Sequence, residues 1–425
     1  MDTADISGPY RTPRRALGRS ENRRVPRLTV IDRWLASRVQ RRLDLAGIRL
    51  ELWDGSSPHD AARSPIGDLV IRDRPTLLGL IVNPDLWFGE AYSAGRLEIR
   101  GPIDAVVEAL SQHTTSDPTW RERLMATLTL PNSLRLSRRN VHHHYDLGNT
   151  FYESWLDREL VYTCAYFADE QMSLDEAQSA KLDLVCRKLR LRPGETVIEA
   201  GCGWGALALH MARHYGVRVK AFNVSREQLA YASERAKREG LDGQVEFIDD
   251  DYRNVSGRFD VFVSVGMLEH VGLPHYRSLA TVLRRTLRRD GGRGLLHFIG
   301  RDVPRPLNSW IKRRIFPGAY PPTLAQVTTS ILAPAGMSVI DVENLRLHYA
   351  RTLAMWGERF RAARNWVCAT YGDEFQRAWE LYLAGSQATF ATGWMQLFQV
   401  VFVPRESPPP SWTRADMYET TRASV

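Results

Sequence analysis

VIEAGCGWG, residues 197–205, is the strongest indication of the fold of this chain. Its apolar start predicts a buried strand, and its three glycines predict a tight turn where a ligand can approach the backbone closely. Residues 206–214 follow with the pattern of a helix. A strand, a glycine turn and a helix in this order are typical of sites for nucleotide-like cofactors; an ordinary tight turn is the alternative.

The spacing of the glycines narrows the class of cofactor. The motif reads G-x-G-x-G rather than the G-x-G-x-x-G of dinucleotide-binding proteins, and no lysine follows it to bind phosphate. Glu199, an acid two positions before the first glycine, makes the stretch resemble S-adenosylmethionine-dependent methyltransferases. The sequence therefore predicts a methyltransferase rather than a dehydrogenase or a phosphate-binding enzyme.

Strands and helices alternate around this motif from about residue 141 to residue 404. This alternation predicts an α/β fold, with the Rossmann-like, seven-stranded sheet of methyltransferases, helical insertions, and ligands beyond the carboxyl ends of the strands. The apolar stretch QLFQVVFVP, residues 396–404, is predicted to be the strand that closes the sheet. The catalytic domain is therefore expected over residues 141–404.

The rest of the chain is predicted to be simpler. A small N-terminal α+β domain that binds lipid or membrane is expected over residues 28–130, because three short alternating strands there accompany amphipathic helices. The remaining segments are predicted to be a disordered basic tail (1–27), a linker (131–140) and a mobile C-terminal tail (405–425).

Cysteine use and hydropathy predict a cytoplasmic protein. The four cysteines form no C-x-x-C pair, which favours a reducing compartment. No apolar run reaches the roughly 18–20 residues that span a bilayer. The three consecutive histidines, 142–144, lack the spacing of metal ligands, so no metal is expected.

Positive charge is concentrated at the N-terminus. The first fifty residues hold twelve arginines and five acids, nearly the whole formal excess of +8. Residues 28–43, LTVIDRWLASRVQRRL, predict a basic amphipathic helix, with Ile31, Trp34, Leu35, Val39 and Leu43 loosely on one side. Such a helix suits an anionic membrane surface; a helix packed on its own domain, with a solvated arginine face, is the equal alternative. No nucleic-acid motif is present, so no nucleic-acid partner is expected.

Seven motifs occur in a fixed order along the chain. They are HYDLGNTFYESWLD (144–157), VYTCAYF (161–167), VIEAGCGWG (197–205), GMLEHVG (266–272), LLHFIG (295–300), WIKRRIFPGAY (310–320) and YARTLAMWGERF (349–360). Together they resemble the cyclopropane-fatty-acyl-phospholipid synthase family, which includes the mycolic acid cyclopropane synthases.

The resemblance implies an activity, a substrate and a location. Members transfer a methylene group from S-adenosylmethionine to the cis double bond of an unsaturated phospholipid acyl chain, with bound bicarbonate as the base. The implied location is the inner face of the membrane, as a peripheral protein, and homodimerisation is left open. Three alternatives remain: a relative that makes methyl-branched or methylene chains, a lipid-binding protein without activity, and a small-molecule methyltransferase.

The resemblance also implies site residues. The bicarbonate pocket would consist of Cys164, Glu269, His297, Tyr349 and the backbone of Ile299. The cofactor site would consist of Tyr162, Thr163, Glu199, Gly201, Cys202, Gly203, Gly205, Asn223, Val224, Ser225, Gln228, Asp251 and Tyr252.

Two positions depart from the expected patterns. Asn223 ends the second strand, where methyltransferases place an acid that holds the ribose, so Gln228 or a neighbouring polar group is expected to substitute. Ser386 stands where part of the family has a cysteine marked as catalytic. Because the bicarbonate set is complete, we expect that cysteine to be dispensable.

Overall fold

The structure is a computed structural model that describes residues 27–58, 65–113, 147–407 and 412–418. Two compact units are present and are described separately. The first is drawn from Met1–Asp117, Asn308–Pro317 and Trp356–Thr392, and the second from Pro118–Leu307, Gly318–Met355 and Gly393–Val425. Residues 1–26 of the predicted tail and the predicted linker, 131–140, lie outside the described residues.

The strands are numbered along the chain. They are β1 Ile48–Glu51, β2 Gly67–Ile71, β3 Leu97–Arg100, β4 Thr196–Ala200, β5 Arg218–Asn223, β6 Val245–Asp249, β7 Val261–Val265, β8 Arg293–Gly300, β9 Met337–Asn344 and β10 Gln396–Pro404.

The α-helices are numbered in the same way. They are α1 Val30–Leu43, α2 Arg74–Val82, α3 Pro84–Ser93, α4 Ile103–His113, α5 Asn149–Glu153, α6 Leu174–Lys188, α7 Ala206–Tyr215, α8 Arg226–Arg238, α9 Tyr276–Thr286, α10 Ser309–Arg314, α11 Leu324–Val327, α12 Ala333–Ala335, α13 Arg346–Ala362, α14 Arg364–Tyr371, α15 Asp373–Ala391 and α16 Ala415–Tyr418.

The second unit is built on a seven-stranded sheet with the order β6-β5-β4-β7-β8-β10-β9. Strands β4 to β8 pair in parallel, whereas β10 pairs antiparallel with both β8 and β9. Apolar side chains cover both faces, as a parallel sheet between helices requires. The predicted α/β class and the seven-stranded sheet are confirmed.

One strand lies elsewhere than predicted. β10 does not close the sheet but lies between β8 and β9, and β9 forms the edge. All nine residues of β10 are buried, which fits a strand with a partner on each side. β9 was not predicted from the sequence, because it has no long apolar run like that of β10. In the structure, few of its residues are buried.

The first unit contains a three-stranded sheet, in which β2 pairs in parallel with β1 and antiparallel with β3. α15 packs on α3 and α4, and the Arg377 guanidinium donates to the carbonyls of Tyr92 and Leu97 at 2.6 and 2.9 Å. α10 packs on α3, where the indole of Trp310 lies against Gly89.

The compact units therefore differ from the predicted continuous domains. Residues 308–317 and 356–392 were expected within the catalytic domain, but they pack with the N-terminal elements. Local sequence patterns predict a helix without indicating which core its apolar face covers.

Part of the predicted C-terminal tail forms a short helix. Residues 408–411 and 419–425 lie outside the described residues. α16 forms between them, its Met417 is buried, and Asp416 pairs with Arg190 at 2.5 Å. The mobility expected of the tail stays a prediction.

Within the described ranges, no helix combines the length and the apolar content that crossing a membrane takes.

Candidate active site

The glycine turn follows directly from β4. The backbone N–H groups of Gly201 and Cys202 donate to the Phe222 carbonyl at 2.9 and 3.1 Å, which ties the turn to β5. Gly203 and Gly205 have positive φ values of 54° and 84°, where a side chain is strained. A Cβ on Gly203 would meet no atom within 4 Å, so space for a ligand lies beside that residue.

A cavity opens where β4, β5, β6 and β7 end. It is lined by most of the residues predicted for the cofactor: Tyr162, Thr163, Glu199, Gly201, Cys202, Gly203, Asn223, Val224, Gln228, Asp251 and Tyr252. Gly205 and Ser225 do not line it. Gly205 packs against the ring of Phe247, and Ser225 is the N-cap of α8. The structure thus brings the predicted residues together around one space.

Two side-chain amides organise the β5 side of this cavity. Asn223 Nδ2 donates to Gln228 Oε1 at 2.8 Å and to the Gly203 carbonyl at 3.2 Å. Since the oxygen of Gln228 faces Asn223, its amino group remains as a donor for a ligand. The two residues act as a linked pair at the position where the sequence reading looked for an acid.

Two acids follow β6 in the wall of the cavity. Asp251 is buried, and its carboxylate pairs with Arg253 at 2.7 Å. Asp250 accepts a hydrogen bond from the Asp251 backbone at 2.7 Å. Both line the cavity, so carboxylate oxygens are present where a ligand with N–H groups could bind.

Lys181 lines the same cavity, and the sequence reading missed it. Its Nζ donates to Thr163 Oγ1 at 3.0 Å, and burial lowers its pKa to about 8. Its helical spacing could have revealed it, because Lys181 lies on the buried face of α6 together with Gln178 and Lys188. A polar residue on such a stripe points to a buried polar partner.

Glu199 supports the assignment of the cofactor. Burial raises the pKa of its carboxyl to about 8, and the nearby Lys181 opposes that shift. Its Oε2 atom is buried without a hydrogen-bond partner among the described residues. An unpartnered acceptor and the open space at Gly203 fit S-adenosylmethionine, whose sulfonium and ammonium groups are cationic.

The predicted bicarbonate residues gather beside the cavity rather than in its wall. Glu269 lies in the 3₁₀ turn Leu268–His270 after β7, and its Oε1 accepts from the Ile299 N–H at 2.5 Å. His297 and Ile299 lie two residues apart on β8 and so share a face. The Gly266 N–H, in the cavity wall, donates to the His297 carbonyl at 2.9 Å, so His297 lies directly behind that wall.

Two atoms of this pocket are buried without a partner among the described residues: Glu269 Oε2 and His297 Nε2. Desolvation raises the pKa of Glu269 to about 7 and lowers the pKa of His297 well below its usual value. The imidazole is therefore neutral near pH 7 and carries one ring hydrogen. The unpaired acceptor and the unpaired ring nitrogen are two hydrogen-bonding groups that a small polar ion could satisfy.

Cys164 and Tyr349 form the other part of the predicted set. Cys164 Sγ lies 3.9 Å from the Leu345 carbonyl, which accepts the Tyr349 N–H at 3.1 Å. The Leu345 N–H donates at 2.8 Å to Leu397, the residue that pairs with Ile299 across the sheet. Burial raises the pKa of the Cys164 thiol, so it stays protonated and is not a nucleophile.

Two other predictions concern a metal site and Ser386. Among the described residues, no group of three or more acids, histidines or cysteines is placed to hold a metal ion; His142, His143 and His144 lie outside those residues. Ser386 belongs to α15 in the first unit.

Comparison with known proteins identifies the family. The sequence model of the family described as mycolic acid cyclopropane synthetase matches residues 132–400. The chain belongs to this family. A protein of Pseudomonas putida named "Probable fatty acid methyltransferase" is 37% identical over 87% of this chain and 96% of its own length. The cyclopropane-fatty-acyl-phospholipid synthase of Escherichia coli K12 is 40% identical over 61% of this chain and 66% of its own length.

A solved structure gives the same family. The mycolic acid cyclopropane synthase CmaA1, in complex with SAH and CTAB, is 30% identical with a TM-score of 0.59, over 62% of this chain and 97% of its own. This member of the mycolic acid cyclopropane synthetase family is therefore an S-adenosylmethionine-dependent methyltransferase, as predicted.

Proposed function

We propose that this protein is a cyclopropane-fatty-acyl-phospholipid synthase, which converts the cis double bond of an unsaturated phospholipid acyl chain to a cyclopropane with bound bicarbonate as the base. The observation that carries this proposal is the unpartnered pair Glu269 Oε2 and His297 Nε2. A carboxylate oxygen accepts a hydrogen bond and a neutral imidazole N–H donates one. The pair therefore matches an ion that has both an O–H group and anionic oxygens.

The chemistry explains why such a pocket is needed. S-adenosylmethionine supplies an electrophilic methyl carbon, and its bond to sulfur breaks as an alkene carbon attacks. The acyl chain is left as a carbocation, and loss of a proton from the new methyl group closes the ring. Bicarbonate, when bound, accepts that proton. Because an alkene is a weak nucleophile and water would trap the cation, alignment and dryness dominate catalysis.

The residues of this chain supply those conditions. Glu269, His297 and Cys164 are all buried, so the pocket excludes water. Glu269 is held by the Ile299 N–H through one oxygen, which leaves the other to orient the hydroxyl of the base. By the family resemblance, Tyr349 and Cys164 complete the set. No nucleophilic side chain is needed, because the alkene itself attacks.

A second candidate is methylation of a lipid alkene without ring closure, which gives methyl-branched or methylene chains. It is favoured by the similarity to the Pseudomonas putida protein, whose name is a fatty acid methyltransferase and which matches this chain almost from end to end.

Product analysis separates the two candidates. Purified protein is incubated with methyl-labelled S-adenosylmethionine and vesicles of monounsaturated phospholipid, with and without added bicarbonate, and the lipids are examined by NMR and mass spectrometry. We expect cyclopropane proton signals, a mass gain of one CH₂, and faster turnover with bicarbonate. A branched or methylene product would establish the second candidate, and no lipid product would refute both.

We also propose that the protein works as a peripheral protein at the cytoplasmic face of the membrane. In α1, the N-terminal part of the predicted apolar stripe does not pack inward: Ile31 and Trp34 are 68% and 56% exposed. The helix packs instead through Ala36, Leu43 and two hydrogen-bonded polar residues, Asp32 and Gln40. Exposed apolar residues beside arginines suit an anionic bilayer.

The neighbouring helix α2 adds to the exposed apolar surface. Val82 is 81% exposed, and Leu78 and Ile81 are also exposed. α2 contacts α1, and Arg74 at its start pairs with Asp32 at 2.7 Å. Arg38 of α1 lies over the Trp34 ring at 5.0 Å, which places a cation next to the apolar group. Two adjacent helices thus expose large apolar side chains, which are unfavourable on a surface in contact with water.

Replacing the exposed apolar pair of α1 is expected to weaken membrane binding. The double variant Ile31→Ser/Trp34→Ser should sediment with phosphatidylglycerol-containing vesicles at least about tenfold less strongly, since each large apolar side chain contributes about 1.5–3 kcal/mol when buried. Leu347→Ser, at a residue 62% exposed in the second unit, is the matched control and should bind like the wild type. Equal binding by both variants, or binding indifferent to salt, would contradict the proposal.

A further inference from the structure

A buried polar chain runs from α6 through β10 to β8 in the second unit. Lys188 Nζ donates to Gln399 Oε1 at 2.7 Å, and Gln399 Nε2 lies 3.1 Å from His297 Nδ1. The side chains of Lys188 and Gln399 are fully buried, and His297 is nearly so. Neither Lys188 nor Gln399 lines the cofactor cavity, and nothing in the chemistry above has used them.

Only one assignment of donors and acceptors is consistent with these two hydrogen bonds. An ammonium group only donates hydrogen bonds, so the oxygen of the Gln399 amide must face Lys188. The amino group of the same amide then faces His297, and its hydrogen points at Nδ1. If Nδ1 also carried a hydrogen, two donors would oppose each other in a buried site. Nδ1 is therefore the acceptor, and the ring hydrogen of neutral His297 is on Nε2.

The surroundings of Lys188 keep the ammonium in place. Glu343 pairs directly with its Nζ, and Asp341 Oδ2 lies 4.0 Å away. Arg414 in turn pairs with Asp341 at 2.5 Å. Burial lowers the pKa of Lys188, and these two carboxylates oppose that shift. Lys188 is therefore surrounded by Glu343, Asp341 and Gln399. Gln399 is the uncharged one of the three, and its amide also contacts His297.

We propose that Lys188 and Gln399 are positioning residues that hold His297 in its Nε2–H tautomer, so that the ring donates a hydrogen bond into the pocket and is not the base. This rests on the proposed function only for the identity of the anion that receives the bond. Nε2 is buried without a partner among the described residues, so it is the ring atom that can bind that anion. In the other tautomer, a lone pair would face a bound anion and repel it.

The tautomer is measured directly on the protein without ligands. Long-range ¹H–¹⁵N spectra of histidine-labelled protein distinguish Nε2–H from Nδ1–H, and His297→Gln assigns the signal. We expect Nε2–H in the wild type. In Gln399→Glu, a carboxylate oxygen replaces the amino group that faces the ring, so the hydrogen should move to Nδ1. A wild type with Nδ1–H, or an unchanged Nε2–H pattern in Gln399→Glu, would overturn the inference.

Two lysine variants separate positioning from packing. Lys188→Arg keeps a group that only donates and should keep the Nε2–H signal. Lys188→Met frees the amide to rotate and should give a mixture of tautomers. A wild-type spectrum in Lys188→Met would mean that the lysine does not set the amide. Thermal melting shows which variants are folded, and only folded variants are compared.

Kinetics then connect the tautomer to the pocket. In Gln399→Glu, the bicarbonate concentration for half-maximal turnover should rise roughly 10- to 100-fold, the range for a hydrogen bond to a charged group. The dissociation constant for S-adenosylhomocysteine should not change, since Gln399 does not line that cavity. If the tautomers behave as expected but bicarbonate has no effect on any variant, the inference on His297 holds and the proposed base fails.

Discussion

Glu269→Gln should lower turnover at least about 100-fold, the range for loss of a positioned acid–base group, and leave the affinity for S-adenosylhomocysteine unchanged. Glutamine is isosteric, and its oxygen can still accept the Ile299 N–H, so the turn after β7 should be retained. Its amino group, however, replaces Oε2, the buried acceptor that we assign to the hydroxyl of the base. The measurements are kcat with phospholipid vesicles and calorimetric binding of the cofactor product.

The acidic limb of the pH profile is a second test of the role of Glu269. Glu269 must be ionised to accept a hydrogen bond from the base, and burial raises its pKa to about 7. Its carboxylate is present above that pH and lost below it, so wild-type turnover should fall as pH decreases through about 7. At constant bicarbonate concentration, Glu269→Gln should lack this limb.

Glu199→Gln is the matched control, because it changes a buried carboxylate in the cofactor cavity instead. It should weaken cofactor binding, and turnover should fall only because less cofactor is bound. If Glu269→Gln weakened cofactor binding as much as Glu199→Gln does, or if it left turnover intact, the separation into two pockets would be wrong.

Gly205→Ala should destabilise the second unit by about 2–4 kcal/mol. The residue has φ of +84°, where a Cβ costs about 1 kcal/mol. The added Cβ would also lie 2.7 Å from the Phe247 ring and 2.9 Å from Ala232 Cβ, and overpacking of this kind costs about 1–3 kcal/mol. A fall in Tm of roughly 5–15 °C should be seen by calorimetry.

Gly203→Ala is the companion variant with the opposite expected profile. Its φ of +54° carries the same strain of about 1 kcal/mol, but no protein atom lies within 4 Å of the added Cβ. The methyl group would project beside the cofactor cavity, so cofactor affinity should fall while Tm changes by only a few degrees. A larger Tm loss in Gly203→Ala than in Gly205→Ala would refute the assignment of Gly203 to the ligand and Gly205 to packing.

Much of the active site was predictable because its signals are local. A strand that breaks into glycines places the turn, and polar residues that follow parallel strands meet at one edge of the sheet. Glu269 and His297 could therefore be placed near each other, and the residues predicted around the glycine turn were found to share a cavity.

Local sequence patterns were enough to predict the α/β class, the methyltransferase family and the glycine turn, since each depends on residues close together in the chain. Three-dimensional packing was needed to show that β10 lies inside the sheet, that α15 packs with the N-terminal elements, and that α1 exposes Ile31 and Trp34. The same packing joined Lys188 to Gln399, 211 positions away, and Gln399 to His297, 102 positions away. Burial creates those contacts, because a polar group removed from water needs a partner. Local sequence patterns do not indicate which distant residue that partner is.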